Sequence, residues 1–252
     1  MSRNTDPAGT LLELLWRHEL PPRRNARGPR QTVSVDEVVA AAIGLADREG
    51  YAGVSVRAVA AELGLRPMSL YTYVPGKEAL TALMVDAVAY DDAPLPPAAA
   101  PARDRLAAVA RQIRDEYLAH PWLLEVPAWR MVLGPGRMRR YERQLAAVDG
   151  IGLDDPEMDR VLAVLTQFAT GNARTALAAA RSAREQSDAE WWEAYGPVLT
   201  RVMPAADFPL ASRVGAVVGE LYQAPGDPDG EFEYGLEHLI AAILPGRPPT
   251  AR

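Results

Sequence analysis

The chain has 252 residues, 48% of them hydrophobic, and a formal net charge of −6. That is enough apolar material for one large or two small packed domains. There is no cysteine, so disulfide scaffolds and thiolate metal sites are excluded, and no apolar run approaches the ~18 residues of a membrane span.

Residues 1–33 read as an extension. Leu11, Leu12, Leu14, Leu15 and Trp16 suit a helical turn or two, and Pro21 and Pro22 end it. The acids of this segment and its lack of a small-residue cleavage site argue against a signal peptide. Arg23, Arg24, Arg27 and Arg30 fall within eight residues that hold no acid. The extension 1–33 is either a disordered tail or a flexible basic arm suited to the minor groove. A net acidic chain does not coat nucleic acid with its whole surface, but a local basic patch acts within the short screening length at physiological salt.

A helix is predicted from Ser34, where Ser34 and Glu37 form an S-x-x-E capping box. Val35, Val38, Val39, Ala42, Leu45 and Ala46 line one face, and Gly50 stops it. Ser55 is the N-cap of a second helix with Val56, Val59, Ala60 and Leu63 on one face. Gly64 ends that helix in the left-handed conformation, and Pro67 opens a third. The third helix is short and runs through Val74. Its Leu70 and Val74 face a core, and Met68, Ser69, Thr72 and Tyr73 face away. Tyr71 and Tyr73 are larger than a purely structural turn requires on an exposed face. Lys77 then opens a fourth helix, where a cation opposes the dipole and a phosphate partner would account for it. Two helices joined by a glycine turn occur in many helical proteins. Here the short second helix and its polar, aromatic face describe a helix-turn-helix that fits a major groove.

The fourth helix carries Leu80, Leu83, Met84, Ala87 and Val88 inward and ends at a proline-rich linker after Asp91 and Asp92. A helix over 103–119 carries Leu106, Val109, Ile113 and Tyr117, and His120 with Pro121 breaks it. Residues 122–133 are aromatic-rich, and residues 134–136 turn into a helix with Met138, Tyr141 and Leu145. Asp155 and Pro156 start a long helix to about Gln186, rich in small residues at its middle. Trp191, Trp192, Tyr195 and Val198 mark another helix. Residues 204–209 and 224–230 read as loops, and a last helix spans 231–244. No period-two strand pattern appears, so the chain is expected to be all-α.

His18, His120 and His238 stand at no ligand spacing, and no zinc, nucleophile-elbow, phosphate-loop or dinucleotide motif occurs. No metal, cofactor or catalytic residue is assigned, and an enzyme is not expected. An aromatic and polar set remains: Gln112, Trp122, Trp129, Met131, Phe168, Asn172, Trp191 and Tyr195. These are either ordinary core or the lining of a mostly apolar pocket.

The segment 55–77 resembles the DNA-binding domain of the TetR family of transcriptional repressors. The matching pattern L-x-x-x-x-L-Y-x-Y-V-x-x-K is carried by Leu65, Leu70, Tyr71, Tyr73, Val74 and Lys77, after RAVAAELG at 57–64. The likeness extends over about 34–88. It recurs at FEYGLEHLI, 232–240, which is similar to the last helix of a tetracycline-repressor-type C-terminal domain. The resemblance implies a three-helix head over 34–80 and a larger helical ligand-binding and dimerisation domain over 81–252. It implies a cytoplasmic, ligand-responsive repressor that binds a pseudo-palindromic operator as a homodimer and is released by a small apolar or amphipathic inducer. Ser55, Arg57, Tyr71, Tyr73 and Lys77 would hold phosphates, and Arg66, Met68, Ser69 and Thr72 would face base edges. Dimerisation would use the helix at 156–186 with the last helix. Ala93 and Pro127 stand near the places where tetracycline-binding members hold a magnesium–drug complex, which sets that ligand aside. The rival readings are a helical interaction module, or an enzyme-like ligand-binding protein, without sequence-specific DNA binding.

Overall fold

The Ser34 hydroxyl accepts from the Glu37 amide at 3.1 Å, and the Glu37 carboxylate accepts from the Ser34 amide at 2.6 Å. This reciprocal cap starts α2 (Val35–Glu49), whose Val38, Val39, Ala42, Leu45 and Ala46 are all buried. The computed structural model describes residues 7–21, 33–89, 94–127 and 131–244. Among these are eleven α-helices and no strand, so the chain is all-α. The basic stretch with Arg23, Arg24, Arg27 and Arg30 lies outside the described residues, as do Trp129 and Ala93.

In the head, α2 is followed by α3 (Val56–Glu62) and α4 (Pro67–Leu70), with α5 (Lys77–Val88) closing the unit. Ser55 caps α3 by accepting from the Ala58 amide at 3.1 Å. Gly64 takes a left-handed φ of 65°. Leu65 then donates to the Ala60 carbonyl at 2.8 Å and Gly64 to the Ala61 carbonyl at 3.1 Å, a Schellman ending. The apolar faces meet in one cluster with Val54, Val59, Leu70, Val74, Leu80, Leu83 and Met84. This cluster also takes in Leu15 at the end of α1 (Pro7–Leu15) and Trp122 of a 3-10 segment, Pro121–Glu125.

α4 is shorter than its sequence suggests. After Leu70 the chain tightens into a turn in which Thr72 donates to the Ser69 carbonyl and Tyr73 to that of Leu70. Pro75 keeps Val74 out of the helical region and ends the helical path. Tyr73 lies three residues after buried Leu70 and one before buried Val74, so it shares their face. The expectation that Tyr73 faces solvent is therefore corrected: it is 8% exposed and belongs to the core.

A second cluster is built by α6 (Ala102–Ala119), α7 (Pro135–Val148), α8 (Asp155–Glu185) and α11 (Pro228–Ile243). Leu106, Val109, Ile113, Val161, Leu162, Leu165, Phe232, Leu236 and Ile240 form its centre. α8 starts at the capping box of Asp154 with Glu157, one residue before the Asp155 expected. α11 starts a turn early, because Asp227 accepts from the Gly230 amide and Pro228 sits at the first helical position. α6 and α11 are laced by Arg103–Glu237, Arg111–Glu233 and Arg114–Asp229. The Arg111 hydrogen bond holds the Glu233 carboxyl below the ordinary carboxylate range. That pair is intact at neutral pH and is lost only as acid passes below the lowered value.

Between α8 and α11 stand α9 (Asp188–Val202) and α10 (Pro209–Tyr222), and neither has a buried residue. α10 fills the segment between the two stretches read as loops.

Gly235 faces Phe168, and a Cβ there would come within 2.6 Å of the ring. Gly235→Ala is expected to lower Tm at a cost of about 1–3 kcal/mol, despite alanine's better helix propensity. Gly44→Ala in α2, where a Cβ meets only Arg48 at 3.5 Å, should raise Tm by the propensity gain of ~1 kcal/mol. Thermal melts of the two variants check the contrast.

Candidate nucleic-acid interface

The four-residue α4 and the turn after it expose a compact strip. Pro67 starts the helix without needing its missing N–H, and the Leu70 side chain anchors the helix to the core. Met68 is then 76% exposed and Tyr71 49% exposed. Arg66 and Thr72 are exposed as well, and Ser69 is half-buried. The Thr72 hydroxyl donates to the Ser69 carbonyl at 2.7 Å. Its lone pairs still face outward and accept, so at a base edge Thr72 suits an amino group better than an acceptor. Ser55 and Arg57 are exposed at the start of α3.

Lys77 is exposed at the first position of α5, and it has a partner within the chain. Its ammonium lies 4.3 Å from the centroid of the Tyr51 ring and 3.4 Å from the Tyr51 carbonyl. The cation is thereby parked over an aromatic face at the rim of the head. A phosphate is not needed to explain it, although one could draw it away. Arg48 pairs with Glu62 and ties α2 to α3. Arg57, Arg66 and Lys77 are each exposed on the head.

The aromatic and polar set does not converge on one site. Trp122 is fully buried against the head, and its indole N–H donates to Asp47 of α2 at 2.8 Å. Phe168 stacks on Phe232 at 5.3 Å. Asn172 accepts from Arg114 at 2.7 Å and donates to the Pro228 carbonyl at 2.7 Å, fastening α8 to α6 and to the start of α11. Gln112 is half-buried on α6, and Met131 is exposed just before α7. Trp191 and Tyr195 stack on each other on α9 at 4.8 Å, largely exposed. Pro127 is exposed after the 3-10 segment. Among the described residues no group of three or more His, Asp or Glu could hold a metal ion, and no helix is long and apolar enough to cross a membrane.

The joint between head and second cluster was not read from sequence. Asp47 accepts from both His120 and Trp122. Asp86 of α5 is buried and accepts from the Arg137 amide at 2.9 Å, capping the first turn of α7. Arg137 also donates to the Val85 carbonyl at 3.0 Å and pairs with buried Glu116 of α6, which pairs again with buried Arg140. The available signal was an acid on an apolar stripe: Asp86 beside Leu83, and Glu116 three residues after Ile113.

A short helix propped on another, with a solvent-facing strip, defines a helix-turn-helix DNA-binding protein. Comparison with known proteins agrees. Residues 38–84 match the model of bacterial regulatory proteins of the tetR family, and residues 95–245 match the tetracyclin repressor-like C-terminal domain. The chain belongs to the tetR family of transcriptional regulators and is not an enzyme. It is similar to the HTH-type transcriptional repressor DrrR1 of Streptomyces coeruleorubidus, 38% identical over 242 residues, covering 92% of this chain and 84% of the relative. Among solved structures it is similar to ActR of Streptomyces coelicolor. The apo form is 28% identical with a TM-score of 0.67, covering 86% of this chain and 98% of that one. The form in complex with actinorhodin is 27% identical with a TM-score of 0.72, covering 87% and 99%.

The two tyrosines of the motif should separate by stability. Tyr73→Ala is expected to destabilise the head by about 3–5 kcal/mol, as for other large buried rings. Tyr71→Ala should leave Tm nearly unchanged. Denaturant melts followed by circular dichroism decide it.

Proposed function

We propose that this chain is a cytoplasmic, ligand-responsive repressor that binds a pseudo-palindromic operator as a homodimer. Residues 34–80 act as the DNA-binding head, and residues 81–252 hold the ligand and the partner subunit. The observation that carries this is the exposed strip on α4, whose side chains have little of their own protein to pack on. Arg66, Met68, Ser69 and Thr72 face base edges. Ser55, Arg57, Tyr71 and Lys77 hold phosphates and set register. Tyr73 contributes mainly by fixing the turn, since its ring is in the core. The repressor DrrR1 and the ligand complexes of ActR support the sign and the ligand response.

The dimer uses the outer face of α8 together with α11. Val164 is exposed on α8 and Tyr234 on α11, whereas Ala169 and Ala173 are spent inside the protomer's own core. The uncovered apolar residues of α9 and α10 adjoin this surface in sequence and extend it. The inducer is a small apolar or amphipathic molecule, and the stacked Trp191 and Tyr195 rings offer it an aromatic face. Its binding shifts the end of α6 and the 3-10 segment. The shift passes to the head through Asp47, which both His120 and Trp122 hold, and turns the two heads as rigid bodies. The ligand must bind the released state better than the DNA-bound one.

Selection from a randomised operator library tests the reading. Wild type should return one two-fold consensus. Thr72→Ala should change the preferred base at its position, where a wrong pair typically costs ~1–3 kcal/mol. Lys77→Ala should lower affinity for all sequences and reduce the salt slope by about one contact. An unchanged consensus for Thr72→Ala would remove that residue from the readers.

Val164→Glu tests the interface without disturbing the protomer core. Sedimentation should show folded monomers, with operator affinity lost. A persistent dimer at micromolar concentration would place the interface elsewhere.

A further inference from the structure

Residues 7–20 are not a free tail. α1 has nine residues, too few to persist alone in water, where helices under ~12 residues are marginal. It is held because Leu15, 2% exposed, enters the head cluster with Leu11, Leu14 and Trp16 packed around it. Between α1 and the turn that bears Tyr71 and Thr72 an open cleft of about 610 Å³ remains, so α1 leaves the reading strip uncovered.

The residues after α1 then reach in two directions. Toward the head, Arg17 and His18 both meet the Asp36 carboxylate in the first turn of α2. Partial burial raises the Asp36 carboxyl, but the hydrogen bonds and charge of Arg17 and His18 outweigh it and the net shift is downward. Toward the second cluster, the Trp16 indole N–H donates to the Leu133 carbonyl at 2.8 Å, just before α7. Glu19 pairs with Arg139 on α7. Four consecutive residues, Trp16 to Glu19, therefore join α2 to α7 by a path that does not run through α5.

The geometry points to a strap: α1 and the turn after it bind the head to the regulatory domain and hold the head at the angle seen here. This goes beyond the ligand switch proposed above. α5 is the continuous covalent connection, and Asp47 near the end of α2 adds a contact to His120 and Trp122. The turn after α1 adds a further attachment at the opposite end of α2, through Asp36, and opposes rotation about the other two. Any rotation of the head against α7 must break the Trp16–Leu133 hydrogen bond and the Glu19–Arg139 pair, or else pull α1 off the head and break the contacts of Leu15 and Arg17 there. Trp16, Arg17 and Glu19 are positioning residues in this scheme, and none has to touch DNA.

The test needs neither DNA nor inducer, so it stands or falls separately from the repressor reading. The chain has no cysteine, so spin labels can be placed at Ala61→Cys on α3 and Glu142→Cys on α7, both exposed. Labelled chain is diluted into excess unlabelled protein, so that only distances within one chain are read. Double electron–electron resonance should give one narrow distance distribution for otherwise wild-type protein. Trp16→Phe keeps the ring's bulk and removes its N–H, and Glu19→Gln keeps shape and removes charge. Together they should raise the population of a second head orientation by roughly tenfold, the scale of one or two modest polar contacts. Exchanging the pair, Glu19→Arg with Arg139→Glu, should restore the narrow distribution in a chain that keeps Trp16. The Glu19→Gln change lies at an exposed pair, so the single variant folds even if the double does not, and it should broaden the distribution by itself. Identical distributions in all variants would overturn the strap.

Discussion

Two carboxylates, Asp86 and Glu116, are buried where the head meets the rest of the chain, and a buried charge must stay paired. Asp86 has the first turn of α7 as its partner, and Glu116 has Arg137 and Arg140. Gly134 allows this closeness, since a Cβ there would lie 2.3 Å from the Asp86 carboxylate. The penalty for separating these groups is large, so α5, α6 and α7 are locked together at this point. Motion of the head must be accommodated around the lock. Asp47 with its two donors on one side, and the turn after α1 on the other, are the exposed or half-exposed contacts left to change.

This arrangement divides the chain by physical role. Leu70, Tyr73 and Val74 fasten α4 and the turn after it to the head core, and Met68, Tyr71 and Thr72 stay exposed. The chain carries a net charge of −6, so the proposed attraction to DNA depends on local cations, and exposed Arg57, Arg66 and Lys77 would supply it. Lys77 rests over the Tyr51 ring, and the proposed phosphate contact would have to draw it away from there.

Much of the fold was legible because local signals agreed with one another. The Ser34–Glu37 box, the Ser55 cap, Gly64 and the inward valines and leucines of α2 and α3 all appear as expected. What was missed follows from interactions that no window of sequence contains. Tyr73 reads as exposed from its polar hydroxyl and its neighbour Thr72, yet it lies three residues after Leu70 and packs with it in the core. Asn172 and Phe168 read as either core or pocket lining, and their contacts to Pro228 and Phe232 of α11 have no local sequence signal. α10 escaped notice because none of its side chains is buried within the protomer. Trp16 seemed part of a loose tail because its partner, the Leu133 carbonyl, is distant in sequence and carries no residue-type signal.

The direct test of the account is hydroxyl-radical footprinting of the full-length protein on the operator recovered by selection. Two heads joined through α8 and α11 should protect two patches on one face of the duplex, centred about 34–36 Å apart, with a two-fold axis between them. A single protected patch, or uniform protection with no periodicity, would contradict the paired helix-turn-helix reading.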